Sequence, residues 1–193
     1  MTQVIDPVRL EQILSFLQSA EALKDTLRSA RTSGGRQEST AEHSWRLCLL
    51  VLMFEGSLQD IDVLKLLKLC ILHDLGEAIS GDTPAIHQRA DDNKVERERA
   101  DLIVLCNRLP EDMRTQLVEL WDEYAAARTP EAILAKGFDK IETMLQHLVG
   151  RNGPDFDYAF NLSYGVRQTD AHPLLRQIRT MVDAQTAQRI KPE

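Results

Sequence analysis

The sequence Cys70-Ile71-Leu72-His73-Asp74-Leu75-Gly76-Glu77 places an imidazole and a carboxylate side by side at the end of an apolar segment. These two side chains supply a nitrogen and an oxygen ligand, so the pair can bind one metal ion or bridge two. Glu77 follows about one helical turn later and adds a second carboxylate. A site around His73 and Asp74 needs further ligands, and the rest of the chain offers candidates for them.

The segment before this pair predicts a helix over residues 60–75. Its apolar stripe consists of Val63, Leu66, Leu67 and Cys70. His73 and Asp74 continue the stripe, so both side chains are expected to point inward. A buried carboxylate without a partner is disfavoured, and a metal ion or a cationic side chain is the natural explanation. Further on, Thr83-Pro84 predicts that the chain turns at Asp82.

A second helix is predicted to begin at Ser39, because Ser39-Thr40-Ala41-Glu42 fits a capping box. His43 lies in the first turn of this helix. Apolar residues follow it at helical spacing: Leu47, Leu50 and Phe54. This spacing places His43 on the stripe that faces the core. A buried imidazole needs a partner, so His43 is either a hydrogen-bonded core histidine or a ligand.

The remainder of the chain predicts further helices. Apolar periodicity indicates helices over residues 7–23, 91–107, 110–124, 129–149 and 172–188. Residues 28–38 are polar, contain Gly-Gly and are typical of a loop, and residues 155–170 carry no clear pattern. Asp139 lies nearly opposite the apolar face of its helix, so periodicity alone predicts a solvated side chain. No segment shows convincing strand alternation, and the predicted fold class is all-α.

Length and composition favour one soluble domain. The chain has 193 residues and a hydrophobic fraction of 43%, which is enough for a sizeable core. No apolar run approaches the roughly 20 residues that span a bilayer, and the N-terminus lacks signal-peptide features, so a cytoplasmic protein is expected. The net charge of -7 argues against nucleic acid polymers and anionic membranes as partners. Three cysteines without zinc-site spacing are expected to be free thiols: Cys48, Cys70 and Cys106.

Taken together, these residues resemble an HD-domain metal-dependent phosphohydrolase, whose ligands occur in the order His, His-Asp, Asp on separate helices. The segment from Arg36 to Arg46 is similar to the first motif of the 5′-deoxynucleotidase-like branch. Residues 73–77 with 81–84 resemble the second motif, and residues 129–142 resemble the third. The matched region covers about residues 23–148. The resemblance implies a helical bundle forming a single HD domain over residues 1–193, with a helical extension over 150–193.

The resemblance implies which residues bind metal and which assist the reaction. His43, His73, Asp74 and Asp139 would be the metal ligands. The helix that carries Asp139 would lie at the centre of the bundle, so that its polar stripe faces the site. Glu77 would orient or deprotonate the attacking water, and the alternative for Glu77 is a surface acid at a helix end.

The resemblance also implies substrate contacts for Arg28, Asp82 and Thr83. Arg28 matches an arginine that contacts the substrate and its phosphate. Asp82 would hold a sugar hydroxyl or share in proton transfer, and its alternative is a turn residue. Ser29 stands where the family carries a Trp, so a strict preference for deoxyribose does not follow.

Other basic residues have weaker cases. Arg31 and Arg36 are candidates for phosphate or loop contacts, and a structural pairing of Arg36 with Glu38 is an alternative. Three histidines have no partner at ligand spacing and are treated as ordinary histidines: His87, His147 and His172.

The resemblance further implies one divalent metal ion and a small phosphorylated substrate. Two nitrogens and at least two oxygens suit Mn, Co, Ni, Fe or Zn better than a pure oxygen cage would, and Mg is a further candidate. The implied reaction is the release of phosphate from nucleoside or deoxynucleoside 5′-monophosphates by a metal-activated water. Two alternatives stay open: hydrolysis of a cyclic nucleotide, an alarmone or a nucleoside triphosphate, and a non-catalytic metal- or nucleotide-binding module. A homodimer is also implied.

Overall fold

The computed structural model of the protein describes residues 4–84 and 93–190 and is predominantly helical. The described helices are α1 Pro7–Ala20, α2 Thr40–Phe54, α3 Val63–Leu72, α4 Glu77–Ser80, α5 Lys94–Cys106, α6 Glu111–Ala126, α7 Pro130–Val149, α8 Ala159–Ser163, α9 Val166–Thr169 and α10 Pro173–Ala187. Two short 3₁₀ helices span Glu21–Lys24 and Glu55–Ser57, and a small sheet contains β1 Leu27–Arg31 and β2 Gln37–Ser39. The all-α class predicted from the sequence is confirmed.

Several helix boundaries agree with the local sequence signals. Ser39 caps α2 with a complete capping box, since its side chain accepts from the Glu42 N–H and Glu42 reaches back to the Ser39 N–H. Thr129 caps α7, and Pro130 occupies its first position. The helix predicted over residues 7–23 is shorter than expected, because α1 ends at Ala20 and a 3₁₀ helix follows it.

Helix α7 is the centre of the structure. It packs against α2, α3, α6, α9, α10 and β1, so neighbours cover it on several sides. Its apolar face contributes Phe138 and Ile141 to the main core, and both residues are fully buried. Asp139 is also buried, with 5% of its surface exposed. The prediction from periodicity that Asp139 is solvated is therefore wrong, and the central position expected from the resemblance is observed.

The segment predicted as a loop over residues 28–38 forms a β-hairpin instead. Strands β1 and β2 pair antiparallel, and Gly35, with a φ of 91°, lies in the turn between them. Alternate residues of β1, Arg28 and Ala30, are shielded from solvent. Shielded and exposed residues thus alternate along β1, as in a half-buried strand. An arginine occupies one of the shielded positions, so the sequence does not show the usual alternation of apolar and polar residues. Gln146 of α7 anchors the hairpin by donating to the Arg31 carbonyl at 2.6 Å.

The predicted helix over residues 60–75 is shorter than expected at both ends. Asp62 caps α3, and His73 is the residue that follows its last turn. Asp74 lies in the turn between α3 and α4 rather than on the helix. Gly76 is required at this turn, because a Cβ there would lie 2.4 Å from the Glu98 carbonyl oxygen of α5. The close approach of α5 holds the turn against the body of the protein.

The other predictions about the chain have mixed outcomes. The helix predicted over residues 91–107 is observed from Lys94 to Cys106, and its first residues lie outside the described part of the chain. The unassigned segment 155–170 contains α8 and α9. Cys70 and Cys106 are buried free thiols, and Cys48 is a partly exposed one. None of the helices in residues 4–84 and 93–190 combines the length and apolar character needed to span a membrane.

Candidate metal centre

The four predicted metal ligands come together from three parts of the fold. His43 enters from the first turn of α2, His73 and Asp74 from the end of α3, and Asp139 from the middle of α7. Asp74 Oδ2 lies 3.0 Å from His73 Nε2 and 3.9 Å from His43 Nε2. Asp139 Oδ1 lies 3.2 Å from His43 Nε2 and 3.9 Å from His73 Nε2. Two imidazole nitrogens and the Asp139 oxygen therefore converge on one point, all within 4.8 Å of one another, and Asp74 lies beside them.

The two histidines are held so that Nε2 faces this point. His73 Nδ1 lies 2.8 Å from the Cys70 carbonyl oxygen, and His43 Nδ1 contacts Glu142 Oε2. Because a carbonyl or carboxylate oxygen accepts the Nδ1 proton, each neutral ring keeps its Nε2 lone pair free. Both Nε2 atoms are buried and have no hydrogen-bond partner among the described residues. Buried polar atoms without a partner are disfavoured, and a divalent cation at the convergence point would satisfy both.

A second layer of residues supports the histidines. Glu142 is fully buried and accepts from Arg46 Nε at 2.7 Å, while Arg46 Nη2 donates to the Glu142 carbonyl at 3.2 Å. Trp121 Nε1 donates to the His73 carbonyl at 2.9 Å. Outer partners of this kind fix the orientation of a metal-binding imidazole and increase its basicity.

Asp139 has two further partners that hold its second oxygen. Lys140 Nζ donates to Asp139 Oδ2 at 2.8 Å, and the Tyr124 hydroxyl donates to the same atom at 3.3 Å. Burial alone would raise the pKa of Asp139, but Lys140 and the histidines outweigh it and hold the pKa well below its ordinary value. The Asp139 carboxylate is thus charged, with Oδ1 directed at the histidines.

The acidic groups create a strongly negative field at the convergence point. Burial and the Arg28 charge favour neutral His43, yet Glu142 and Asp139 together raise the pKa of His43 to about 10. Burial alone would raise the pKa of Asp74. Neighbouring groups, of which His73 has the largest effect, outweigh burial and hold this pKa below its ordinary value. A site that draws a proton onto a buried imidazole also favours a cation.

Glu77 lies beside the four ligands in the first turn of α4 and is almost fully buried, with 2% of its surface exposed. The Thr40 hydroxyl donates to Glu77 Oε2 at 3.2 Å, and Lys94 Nζ lies 3.8 Å from Glu77 Oε1. Burial, then the charges of Asp74 and Asp82, raise the pKa of Glu77 to about 9. The alternative of a surface acid at a helix end is excluded by this burial.

A cavity of about 340 Å³ opens on Asp74, Asp139 and Glu77. Its volume is at the lower end of the range of small-molecule sites. Three cationic side chains line it, namely Arg28, Lys94 and Lys140. Arg28 Nη1 donates to Asp74 Oδ2 at 3.3 Å and Nη2 to Thr143 Oγ1 at 3.2 Å, so the guanidinium lies directly beside the acids. Acidic groups suited to a metal ion and cationic groups suited to a phosphorylated ligand thus line one cavity.

The predicted substrate contacts lie on the same cavity. Ser29, Asp82 and Thr83 all line it. Thr83 Oγ1 accepts from Arg97 Nη2 at 3.2 Å. Burial and Asp74 contribute to a raised pKa of Asp82, against the opposing charge of Arg28. Arg28, Asp82 and Thr83 therefore all line the cavity, and their contact with a substrate stays a prediction.

The weaker basic candidates have structural partners. Arg36 forms a two-contact ion pair with Glu42 rather than with Glu38, and Glu38 lies 3.5 Å from Arg28 Nε instead. Arg31 Nη1 donates to the Gly35 carbonyl within the hairpin turn. Among the histidines, His172 caps α10, His147 contacts Asn161, and His87 lies outside the described residues.

Several residues of the site carried no clear signal in the sequence. Lys94 lies at the start of a charged stretch, residues 94–99, of the kind that usually forms a solvated helix face. Tyr124 and Trp121 lie on the apolar stripe of α6, where an aromatic residue is indistinguishable from an ordinary core residue. The aromatic residues of the 155–164 segment belong to the unassigned region. Glu142 alone among them had a signal in the sequence. It lies three residues after Asp139, so both side chains are on the same face of the helix.

Several known proteins are similar in sequence to this chain. The model of the HD domain family matches residues 20–179. The 5′-deoxynucleotidase HDDC2 of Dictyostelium discoideum is 28% identical over 145 residues, which cover 71% of this chain and 76% of that protein. The 5′-deoxynucleotidase hdd1 of Schizosaccharomyces pombe is 30% identical over 140 residues, covering 69% and 70% of the two chains.

A solved structure shares the whole fold. The predicted metal-dependent phosphohydrolase from Magnetospirillum magnetotacticum superposes with a TM-score of 0.79 and 25% sequence identity. The superposition covers 94% of this chain and 95% of the other. The likeness therefore extends beyond the ligand motifs to the helices that follow α7.

Proposed function

Since the chain belongs to the HD domain family, we propose that it is a metal-dependent phosphohydrolase that releases inorganic phosphate from nucleoside 5′-monophosphates. The observation that carries this proposal is a cavity in which the carboxylates of Asp74 and Asp139, each close to a buried histidine Nε2 atom, lie beside Arg28 and Lys140. The first group of side chains suits a divalent ion and the second suits a phosphate. Relatives named 5′-deoxynucleotidases support the nucleotide as substrate.

We propose that His43, His73, Asp74 and Asp139 bind the metal ion. The mixed nitrogen and oxygen ligands suit Mn, Co, Ni, Fe or Zn, and Mg is a further candidate. The ion would neutralise the phosphoryl oxygens and acidify the attacking water. Around it, Glu142 and the Cys70 carbonyl keep the two imidazoles in the tautomer that presents Nε2.

The remaining residues of the cavity would bind and orient the substrate. Arg28 has a planar fork of donors suited to two phosphate oxygens, and Lys140 adds a second positive charge on the same side. Glu77 would accept a proton from the attacking water, with Thr40 fixing its carboxyl group at 3.2 Å. Asp82 and Thr83 would contact the sugar.

Phosphate release from a panel of ribonucleoside and deoxyribonucleoside 5′-monophosphates tests this function. Mn, Co, Ni, Fe, Zn and Mg are added separately to the metal-stripped protein. We expect turnover of nucleotides with at least one transition metal and none in the presence of a chelator. No phosphate release from any member with any metal would contradict the proposal and would direct attention to other phosphoesters.

Sugar preference can be changed at Ser29. In the resembling enzymes this position is a Trp, and here the small Ser29 side chain lines the cavity. Ser29→Trp is expected to reduce kcat/KM for ribonucleotides relative to deoxyribonucleotides by about 10- to 100-fold, the range for a single steric contact in a pocket. Rates with matched sugar pairs measure this. Ser33→Trp, in the exposed hairpin turn, is the control, and an equal loss for both sugars would contradict the prediction.

Glu142 is expected to control metal affinity without touching the ion. Glu142→Gln preserves the size of the side chain but removes the charge that stabilises the His43 Nδ1 proton. We expect metal affinity to fall by about 10- to 100-fold, as for other outer partners of metal-binding histidines. Competition with a fluorescent chelator measures the affinity. The exposed Glu119→Gln is the control, and an affinity within about twofold of the unaltered protein would disprove the role.

We further propose that residues 1–193 form one HD domain, because α10 packs against α7 and Leu175 belongs to the main core. The homodimer implied by the resemblance stays a prediction, and sedimentation of the purified protein measures it.

A further inference from the structure

The cavity has two ends of different chemistry. One end carries the metal ligands and the three cationic side chains. The other end is lined by four ring-bearing residues, which we call the aromatic wall: His147, Phe156, Phe160 and Tyr164. The metal centre and the phosphate site use only the first end, so the aromatic wall has no role in the chemistry described above.

The aromatic wall is built as a fixed surface. The rings of His147 and Phe156 lie edge to face, with centroids 4.9 Å apart, and those of Phe160 and Tyr164 are 5.3 Å apart. His147 is nine-tenths buried, and its Nδ1 lies 2.8 Å from Asn161 Oδ1. From α10, Arg179 donates to the carbonyls of Asn161 and Tyr164, at 2.8 and 2.6 Å. Arg179 therefore holds in place the backbone that carries the aromatic wall.

Helix α7 connects the two ends of the cavity. Asp139, Thr143 and His147 follow one another at intervals of four residues, and all three line the cavity. Eight residues of helix correspond to about 12 Å, a distance comparable to the length of a nucleoside 5′-monophosphate. Lys140 joins the two ends as well, because its Nζ lies 2.8 Å from Asp139 Oδ2 and 5.2 Å from the Tyr164 ring centroid.

Charge fixes the direction in which a nucleotide would lie. Arg28, Lys94 and Lys140 are at the metal end, whereas Asp155 and Asp157 line the cavity near the aromatic wall. Carboxylates repel a phosphate dianion. Those at the metal end are offset by the three cationic side chains and by the divalent ion proposed there, so the phosphate is favoured at that end. The uncharged, planar end of the ligand is then left against the rings.

We propose that the aromatic wall binds the nucleobase of the substrate by stacking on Phe156 and Phe160. This inference rests on the proposed nucleotidase function and specifies how the site separates nucleotides from simple phosphate esters. Stacking on an aromatic side chain tolerates every base, because each base has a π face. The wall thus selects for a base without selecting strongly among bases, and sugar phosphates without a base bind less tightly.

Binding of two hydrolysis-resistant probes tests the wall. One probe is the 5′-methylenephosphonate analogue of deoxyadenosine monophosphate, and the other is the corresponding deoxyribose phosphonate without a base. Calorimetry on the metal-loaded protein gives both dissociation constants. For Phe156→Leu and for Phe160→Leu, we expect the Kd of the nucleotide analogue to rise about 5- to 100-fold relative to that of the base-free analogue, as for loss of one base–aromatic stack. Phe16→Leu in α1, remote from the cavity, is the matched control.

The outcomes separate the wall from the reaction. Base binding by the aromatic wall would be contradicted by equal affinity of the unaltered protein for both probes. Equal weakening of both probes by the two substitutions would contradict it as well. A selective effect on the nucleotide analogue supports base binding by the wall even if nucleoside monophosphates release no phosphate. In that case the proposed reaction is wrong, and the base-binding site is still supported. Thermal unfolding of each variant shows that the compared proteins are folded.

Discussion

Asp74→Ala is expected to abolish phosphate release while the helical fold is retained. The Asp74 carboxylate lies 3.0 Å from His73 Nε2 and accepts from Arg28 at 3.3 Å, so it links the proposed metal and phosphate sites. Loss of an outer partner of a metal ligand reduces affinity or activity by about 10- to 100-fold, and loss of a ligand itself should exceed the upper value. Phosphate release and bound metal, measured by mass spectrometry, check both effects.

The fold of the variant must be measured separately, because removal of Asp74 leaves Arg28 without one of its acidic partners. Asp74→Asn serves as a second variant, since its amide oxygen still accepts from Arg28. Circular dichroism is expected to show the same helical content for both variants. The exposed Asp25→Ala is the matched control for the loss of one acid. Full activity in either Asp74 variant would exclude a single site built on this residue.

The sequence allowed the inward direction of the two proposed histidine ligands to be predicted, because local and tertiary signals agree there. His43 follows a complete capping box and lies on the apolar stripe of α2, so its inward direction could be deduced from spacing. His73 was expected inside for the same reason, although α3 ends just before it. In both cases the residue is carried by a helix whose buried face is defined by apolar neighbours.

Asp139 shows where periodicity fails. It lies on the polar stripe of α7, and a polar stripe normally faces water. Here neighbouring elements cover α7 on several sides, and its polar stripe faces the candidate metal centre. Only the resemblance to the family indicated this, because a single helix carries no information about what covers its polar side.

The hairpin and the aromatic wall were missed for a different reason. In β1 an arginine occupies an inward position, since it reaches into the site, and it masks the alternation that predicts a strand. The wall residues Phe156, Phe160 and Tyr164 belong to short helices and turns that are ordered by contacts with α7 and α10. Tertiary contacts of this kind leave no periodic pattern in the sequence.

Glu77→Gln is expected to lower kcat by about 10²- to 10⁴-fold, the usual contribution of a positioned general base, while the metal stays bound. Glu77 is buried, held by the Thr40 hydroxyl at 3.2 Å, and exposed only to the cavity. Glutamine preserves the shape and the hydrogen bond from Thr40 but cannot accept the proton of the attacking water. Single-turnover phosphate release and metal content measure the two quantities.

The pH dependence of turnover distinguishes this role from a purely structural one. A general base acts in its deprotonated form, so kcat rises as the pH increases through the pKa of Glu77. Burial, Asp74 and Asp82 raise that pKa to about 9 in the ion-free protein, and Lys94 and Arg28 oppose the shift. A cation bound by the proposed ligands would lower the pKa of Glu77, as Lys94 does. The rise of kcat with pH, which is the acid limb of the profile, is therefore expected to have its midpoint below pH 9. The residual activity of Glu77→Gln should lack this limb. A limb of unchanged position in the variant would assign the titration to another group and leave Glu77 with a structural role, because a glutamine side chain does not titrate.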